Sequence, residues 1–133
     1  MSKPIVLGID LDGTLLKYSG FKGDDVFGAA LPGAKAWVRG LYRAGVKMWV
    51  FTARATGPVR RLAVAHALFE AGFDAGMFEG ITNIKRADFT WIVDDRAMPY
   101  TGPAGVHTVS AYTYHGYPRL GYLTSQEPWW RKS

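Results

Sequence analysis

Short apolar runs alternate along the chain with stretches of helical periodicity. That alternation predicts a parallel sheet covered by helices. Ile5-Val6-Leu7-Gly8-Ile9 reads as a fully buried strand that ends at Asp10. A polar, glycine-rich stretch from Leu11 to about Leu31 follows. Pro32-Gly33 then opens a helix whose apolar positions are Trp37, Val38, Leu41 and Tyr42, with Gly45 as its stop. Val46 to Phe51 is a second strand, closed by Thr52, and Gly57-Pro58 leads into a helix from Val59 to Ala71 that Gly72 ends. Between Phe73 and Ile84 the apolar pieces around Met77-Phe78 and Ile81 are too brief to assign. Trp91-Ile92-Val93 is a clearer strand before Asp94-Asp95, and Val106 to Val109 reads as one more. A tail from about 116 to 133, rich in Tyr, Trp and Pro, gives no periodic signal. The expected fold class is α/β: a Rossmann-like three-layer α/β/α sandwich with a central parallel sheet.

Composition narrows the function classes. A chain of 133 residues with 48% hydrophobic and 20% charged residues fits one globular domain. The absence of cysteine excludes disulfides, thiol nucleophiles and thiolate metal sites. The first apolar run is too short for a signal peptide and is interrupted by Asp10, and no segment reaches the length of a membrane span. The expectation is a soluble, cytoplasmic protein. A net charge of +5 favours anionic partners, a phosphorylated substrate or a nucleic acid, although the basic residues are scattered as they are on ordinary solvated surfaces.

The placement of polar residues is more informative. Asp10, Thr52 and Asp94 each follow an apolar strand directly. In open parallel sheets, ligands bind beyond the carboxyl ends of the strands, so three such residues converge on one edge. Asp10-Leu11-Asp12-Gly13-Thr14-Leu15 brings two carboxylates to that edge, with Gly13 permitting a bend. Carboxylates this close repel, and a divalent cation is the simplest way to hold both ionised. One could then attack phosphorus while the other exchanges a proton with the leaving oxygen. Taken alone, Asp-x-Asp-Gly reads equally as a plain turn.

Ile9 to Leu15 resembles the first signature of the haloacid dehalogenase superfamily, whose phosphatases use an aspartate nucleophile. Phe51-Thr52-Ala53-Arg54 is similar to the second motif, Lys85 in Asn83-Ile84-Lys85 lies where the third motif has its lysine, and Asp94-Asp95-Arg96 resembles the acidic fourth. The motifs stand in the family's order and span Ile5 to Arg96. In the third motif Arg86 stands where related sequences often have Pro, whereas Asn83, Ala87 and Asp88 keep the likeness. The resemblance implies that Asp10 attacks the phosphoryl group and that Asp12 protonates the leaving alcohol and then activates water. It implies Mg²⁺ held by Asp10, the backbone carbonyl of Asp12 and Asp94, with Asp95 a further ligand or the partner of a water in the metal's shell. Gly13, Thr52, Ala53, Arg54 and Lys85 form the implied substrate-binding set, Thr52 and Lys85 on the phosphoryl oxygens.

Arg54 could offer a bidentate fork to an anion, and polynucleotide 3′-phosphatases of this superfamily have a similar Thr/Ser-x-Arg arrangement. Arg60 and Arg61 would add two more guanidiniums to the rim, or are ordinary helix-surface residues. Leu16 to Leu31 is too short for the cap domain of larger members, so the segment around Tyr18, Phe21, Asp24 and Asp25 forms only a flap. Trp37, Trp49 and Trp91 read as core. His66, on a helix between Val64 and Leu68, reads as packed or partly exposed, and His107 and His115 lack an acidic or histidine partner at metal-ligand spacing. Trp129-Trp130 with Arg131 and Lys132 could stack on bases or fold back on the domain. The expectation is therefore a Mg²⁺-dependent phosphomonoester hydrolase acting through a phosphoaspartate, on a nucleotide or polynucleotide phosphate. A phosphotransferase on the same scaffold and a nucleic-acid-binding module are the alternatives.

Overall fold

A computed structural model of the protein describes residues 4–95, the backbone of 107–110 and Tyr117. The expectations for Arg96, His115, the side chain of His107 and the aromatic tail beyond Tyr117 lie outside the described residues. In chain order the elements are β1 (Val6–Ile9), α1 (Ala34–Arg43), β2 (Lys47–Phe51), α2 (Pro58–Glu70), a single helical turn at Ala75–Met77, β3 (Gly80–Thr82), β4 (Trp91–Asp94) and β5 (His107–Ser110). The stretch that gave no clear sequence signal thus holds that turn and the short strand β3. No helix among the described residues is long and apolar enough to cross a membrane.

The five strands form one sheet in the order β3-β2-β1-β4-β5, and each neighbouring pair is parallel. The expected α/β class and Rossmann-like parallel sheet are therefore what the chain builds. Starting from β1, the chain adds β2 and β3 on one side and then crosses to place β4 on the other. The strand order therefore reverses between β1 and β4, the place where such sheets open a crevice at their carboxyl edge.

Strand alternation sorts the side chains into two layers. On one face Leu7, Ile9, Met48, Val50, Trp91 and Val93 pack with Ala34, Val38 and Leu41 of α1 and Val64 and Leu68 of α2. The α1 residues are spaced by four and three positions, which puts them on one stripe of the helix. Both described helices thus cover the same face. The opposite face carries Val6, Ile92, Trp49 and Phe51, packed around Phe89. Of the three expected layers, the described part of this one is the loop after β3, with no helix. Phe89 is fully buried and meets Phe51 edge-on at 5.7 Å, while the Arg86 guanidinium lies over Trp49 at 4.1 Å. Thr90 ties this loop to the sheet: its N–H donates to the Val6 carbonyl, and its Oγ1 accepts the Val6 N–H at 3.0 Å.

The seating of Phe89 requires the glycine beneath it. A Cβ at Gly8 would stand 2.4 Å from the Phe89 ring. The ring is enclosed and the strand is paired on both sides, so neither yields easily. Gly8→Ala is expected to lower stability by about 1–3 kcal/mol, the usual cost of overpacking. Thermal unfolding would measure it, with Gly8→Ala/Phe89→Leu recovering part of the loss. An unchanged melting temperature in the single variant would contradict this packing.

Candidate functional site

The register of the sheet assembles the site. Ile9 pairs with Val50 on one side and Val93 on the other, so Asp10 emerges level with Asp94. The Asp10 N–H donates to the Val93 carbonyl at 2.9 Å, and the Thr52 N–H to the Thr82 carbonyl at 2.9 Å. Each of these strands is thus extended by one hydrogen bond, which fixes where the two side chains start.

After Asp10 the chain turns tightly. The N–H groups of Thr14, Leu15 and Leu16 all point to the Leu11 carbonyl, and Gly13 N–H donates to Leu16 O at 2.7 Å. Gly13 has φ 83°, and a Cβ there would stand 2.3 Å from Asp95 Oδ2. Glycine is required twice here, by the left-handed backbone and by the carboxylate that leans on it. Thr14, fully buried, accepts the Asp95 N–H on Oγ1 at 3.0 Å. Its carbonyl accepts the Tyr117 hydroxyl, and the Tyr117 ring stacks on Trp37 at 4.7 Å. The loop after β1 is therefore braced against both β4 and α1.

Asp10, Asp94 and Asp95 each offer a carboxylate oxygen, and these oxygens lie within 4.8 Å of one another. The electrostatic cost is visible at Asp10. Burial raises its carboxyl to about 8, with Asp94 adding to the rise and Asp95 and Asp12 adding less, against the downward pull of the Leu11 N–H. Asp95 is also raised, first by burial and then by Asp94. Three oxygen donors at this spacing, one of them unable to ionise freely at neutral pH, fit a hard divalent cation such as Mg²⁺.

The same cluster gives a prediction about stability. Protonated Asp10 stabilises the metal-free fold fully below its ordinary carboxylate value. That contribution is lost as pH rises towards about 8. A cation neutralises what the proton no longer does. Added Mg²⁺ is therefore expected to raise the melting temperature more at pH 8 than at pH 5.5. At a hundred times its dissociation constant the stabilisation is about 2.7 kcal/mol. Equal increments at both pH values would mean that Mg²⁺ does not compete with this proton.

Asp12 is not part of that trio. Both its oxygens are taken by Arg54, Nε to Oδ2 at 2.8 Å and Nη2 to Oδ1 at 3.2 Å. Arg54 was expected on the substrate side, and here it pairs with the candidate acid–base residue. Its remaining nitrogen reaches the Gly23 and Asp24 carbonyls, and its plane lies 4.3 Å from the Phe27 ring and 5.6 Å from that of Phe21. The flap returns along the turn after β1, with Lys17 N–H on Ala29 O and Leu31 N–H on Leu15 O. Arg60 fastens it a second time, 3.1 Å from Asp25 and 3.9 Å from Asp24. The three-guanidinium rim does not form, because Arg54 and Arg60 are both engaged and Arg61 lines a separate groove beside Trp49 and Ile81.

Thr52 is buried at the end of β2, where its hydroxyl oxygen accepts the Arg54 N–H at 3.2 Å. Ala53 is exposed beside it. Lys85 is exposed in the loop beyond β3, three residues past the end of that strand, with no ion pair among the described residues. His66 is exposed on α2 and faces Glu70 at 3.5 Å. A groove of about 1000 Å³ runs between the flap and α2, and among the described residues none of Asp10, Asp12, Thr52 or Asp94 lines it. A pocket of about 120 Å³ does adjoin Asp12 and Arg54.

Three supports were missed from sequence. Thr14 stood inside the quoted motif without a role, Tyr117 had no periodic signal, and Phe27 was hidden in a stretch that read only as polar and glycine-rich. Comparison with protein-family models, curated proteins and solved structures finds no match to this chain.

Proposed function

We propose that the chain hydrolyses phosphomonoesters, with Asp10 as nucleophile. The observation that carries this reading is the separate placement of neighbouring carboxylates at the β1/β4 crevice. Asp10 gathers with Asp94 and Asp95, while Asp12, two residues on, is set apart by a two-pronged bond to Arg54. That separation suits a two-step displacement, in which one carboxylate forms a bond and another moves a proton. The order of the motif segments along the chain supports the same chemistry.

Asp10 attacks phosphorus through one Oδ as the bond from phosphorus to the leaving oxygen breaks. Asp12, released from Arg54 and carrying a proton, delivers that proton to the leaving oxygen. Asp12 then accepts a proton from water, whose oxygen attacks the phosphoaspartate and frees Asp10 with inorganic phosphate. The Thr52 hydroxyl, whose oxygen already accepts the Arg54 N–H, keeps its own proton for a phosphoryl oxygen. Lys85, exposed in the loop beyond β3, would supply positive charge to the phosphoryl oxygens. Asp10, Asp94 and Asp95 would hold Mg²⁺, which supplies charge neutralisation for the clustered carboxylates and the phosphoryl oxygens.

The test is release of inorganic phosphate from a panel of phosphomonoesters, with Mg²⁺ and with chelator. Metal-dependent release is expected from at least one ester. No release from any of them, under conditions where the protein is folded, would sink the reading.

A further inference from the structure

Resting on the phosphatase reading, we propose that the pocket beside Asp12 is the leaving-group site, and that it selects a compact alcohol bearing a second negative charge. Because Asp12 protonates the leaving oxygen, the leaving group departs on the Asp12 side of phosphorus. There the flap closes a pocket of about 120 Å³, walled by Asp12, Arg54, Lys17, Tyr18, Lys22 and Phe27. On a water's share of ~30 Å³ this holds about four water-sized groups. That is the scale of a two- or three-carbon acid, and a nucleoside would extend beyond it.

Its charge is equally restrictive. Ionised Asp12 balances Arg54 through their two-pronged bond, and Asp12 carrying its proton leaves Arg54 positive; in either state Lys17 and Lys22 add unbalanced positive charge to the wall. Neither lysine is ion-paired among the described residues. The flap's own acids, Asp24 and Asp25, do not line the pocket and are drawn to Arg60. Widening the pocket for a macromolecule would require releasing the flap from both Arg54 and Arg60. The pocket therefore turns the expectation of a polynucleotide substrate towards small phosphorylated acids.

The experiment compares two esters matched in size, 3-phosphoglycerate and glycerol 3-phosphate, with a 3′-phosphorylated oligodeoxynucleotide. In the wild-type protein with Mg²⁺, kcat/KM is expected to be at least ~10-fold higher for 3-phosphoglycerate than for glycerol 3-phosphate, and lowest for the oligonucleotide, as the charge of one bound anion against two lysines would give. In Lys17→Glu/Lys22→Glu the ratio between the matched esters is expected to fall to about one or below. Release from the oligonucleotide or glycerol 3-phosphate without preference for the acid overturns the pocket and leaves the phosphatase reading standing. So does an unchanged ratio in the double variant. No release from any ester overturns the phosphatase reading and the pocket with it.

Discussion

Asp10→Asn is expected to lower phosphate release at least ~10⁴-fold, the scale seen when a covalent nucleophile is removed, and at the same time to raise the melting temperature of the metal-free protein. The two effects have one origin. Asp10 sits partly buried with Asp94 and Asp95 around it, and its carboxyl is pushed to about 8 because the charged form is penalised by burial and by those neighbours. An amide of nearly the same shape carries no charge, so it removes the repulsion and, with it, the anionic oxygen that attacks phosphorus. The gain in stability should grow from pH 5.5 to pH 8, as the wild-type carboxyl loses its proton and the variant has none to lose. Added Mg²⁺ should then stabilise the variant less than the wild type, because one of three oxygen donors has lost its charge. Activity assays and melts on the same preparations read both arms. A variant that loses activity and also melts lower at every pH would show Asp10 to be a structural carboxylate instead.

The members of that trio were legible in the sequence because strand ends follow local rules. An apolar run followed at once by a polar residue marks a strand end at a sheet edge, and Asp10, Thr52 and Asp94 each stand in that place. What no local rule gives is strand order. That β4 lies beside β1, so that Asp94 meets Asp10 across the reversal, is a long-range fact set by which faces of the sheet can be covered. β3 was missed for a related reason. Gly80–Thr82 is three residues at a sheet edge, too short for any period to show, and its pairing to β2 comes from packing and not from pattern. The flap was read correctly as short, but its partners were not. Phe21 and Phe27 sit among glycines, lysines and aspartates, and nothing in that stretch announces that both rings stand near one arginine some thirty residues on. Arg54 itself shows the limit most clearly. Its position after Thr52 marked it as functional, yet whether a guanidinium faces substrate or a neighbouring carboxylate is decided by geometry alone.

The bond between Arg54 and Asp12 is the second place where a large effect is expected. The pair is bidentate, and its side chains are only 11% and 18% exposed, so water screens it little. Arg54→Met strands Asp12 in that setting and removes the tie to the flap carbonyls, for which about 2–3 kcal/mol of lost stability is expected, below the 3–5 kcal/mol of a fully buried pair. Phosphate release should fall about 10²-fold, the usual consequence of a proton donor misplaced by an ångström. Arg54→Lys separates the two contributions. A lysine restores positive charge and so much of the stability, but it has one nitrogen where Asp12 needs two and no plane to lay on Phe27. Its rate should therefore stay low. The decisive measurement is a double-mutant cycle of Arg54→Met with Asp12→Asn, read in both melts and rates. An asparagine needs no counter-charge, so losing the guanidinium as well costs little more than either change alone. The stability losses should then couple by 1 kcal/mol or more, within the range of about 0.5–3 kcal/mol seen for residues in contact. The rate losses should couple as well, since both changes remove the same proton transfer. Additive losses in both readouts would mean that Arg54 acts on the flap or the substrate and not through Asp12.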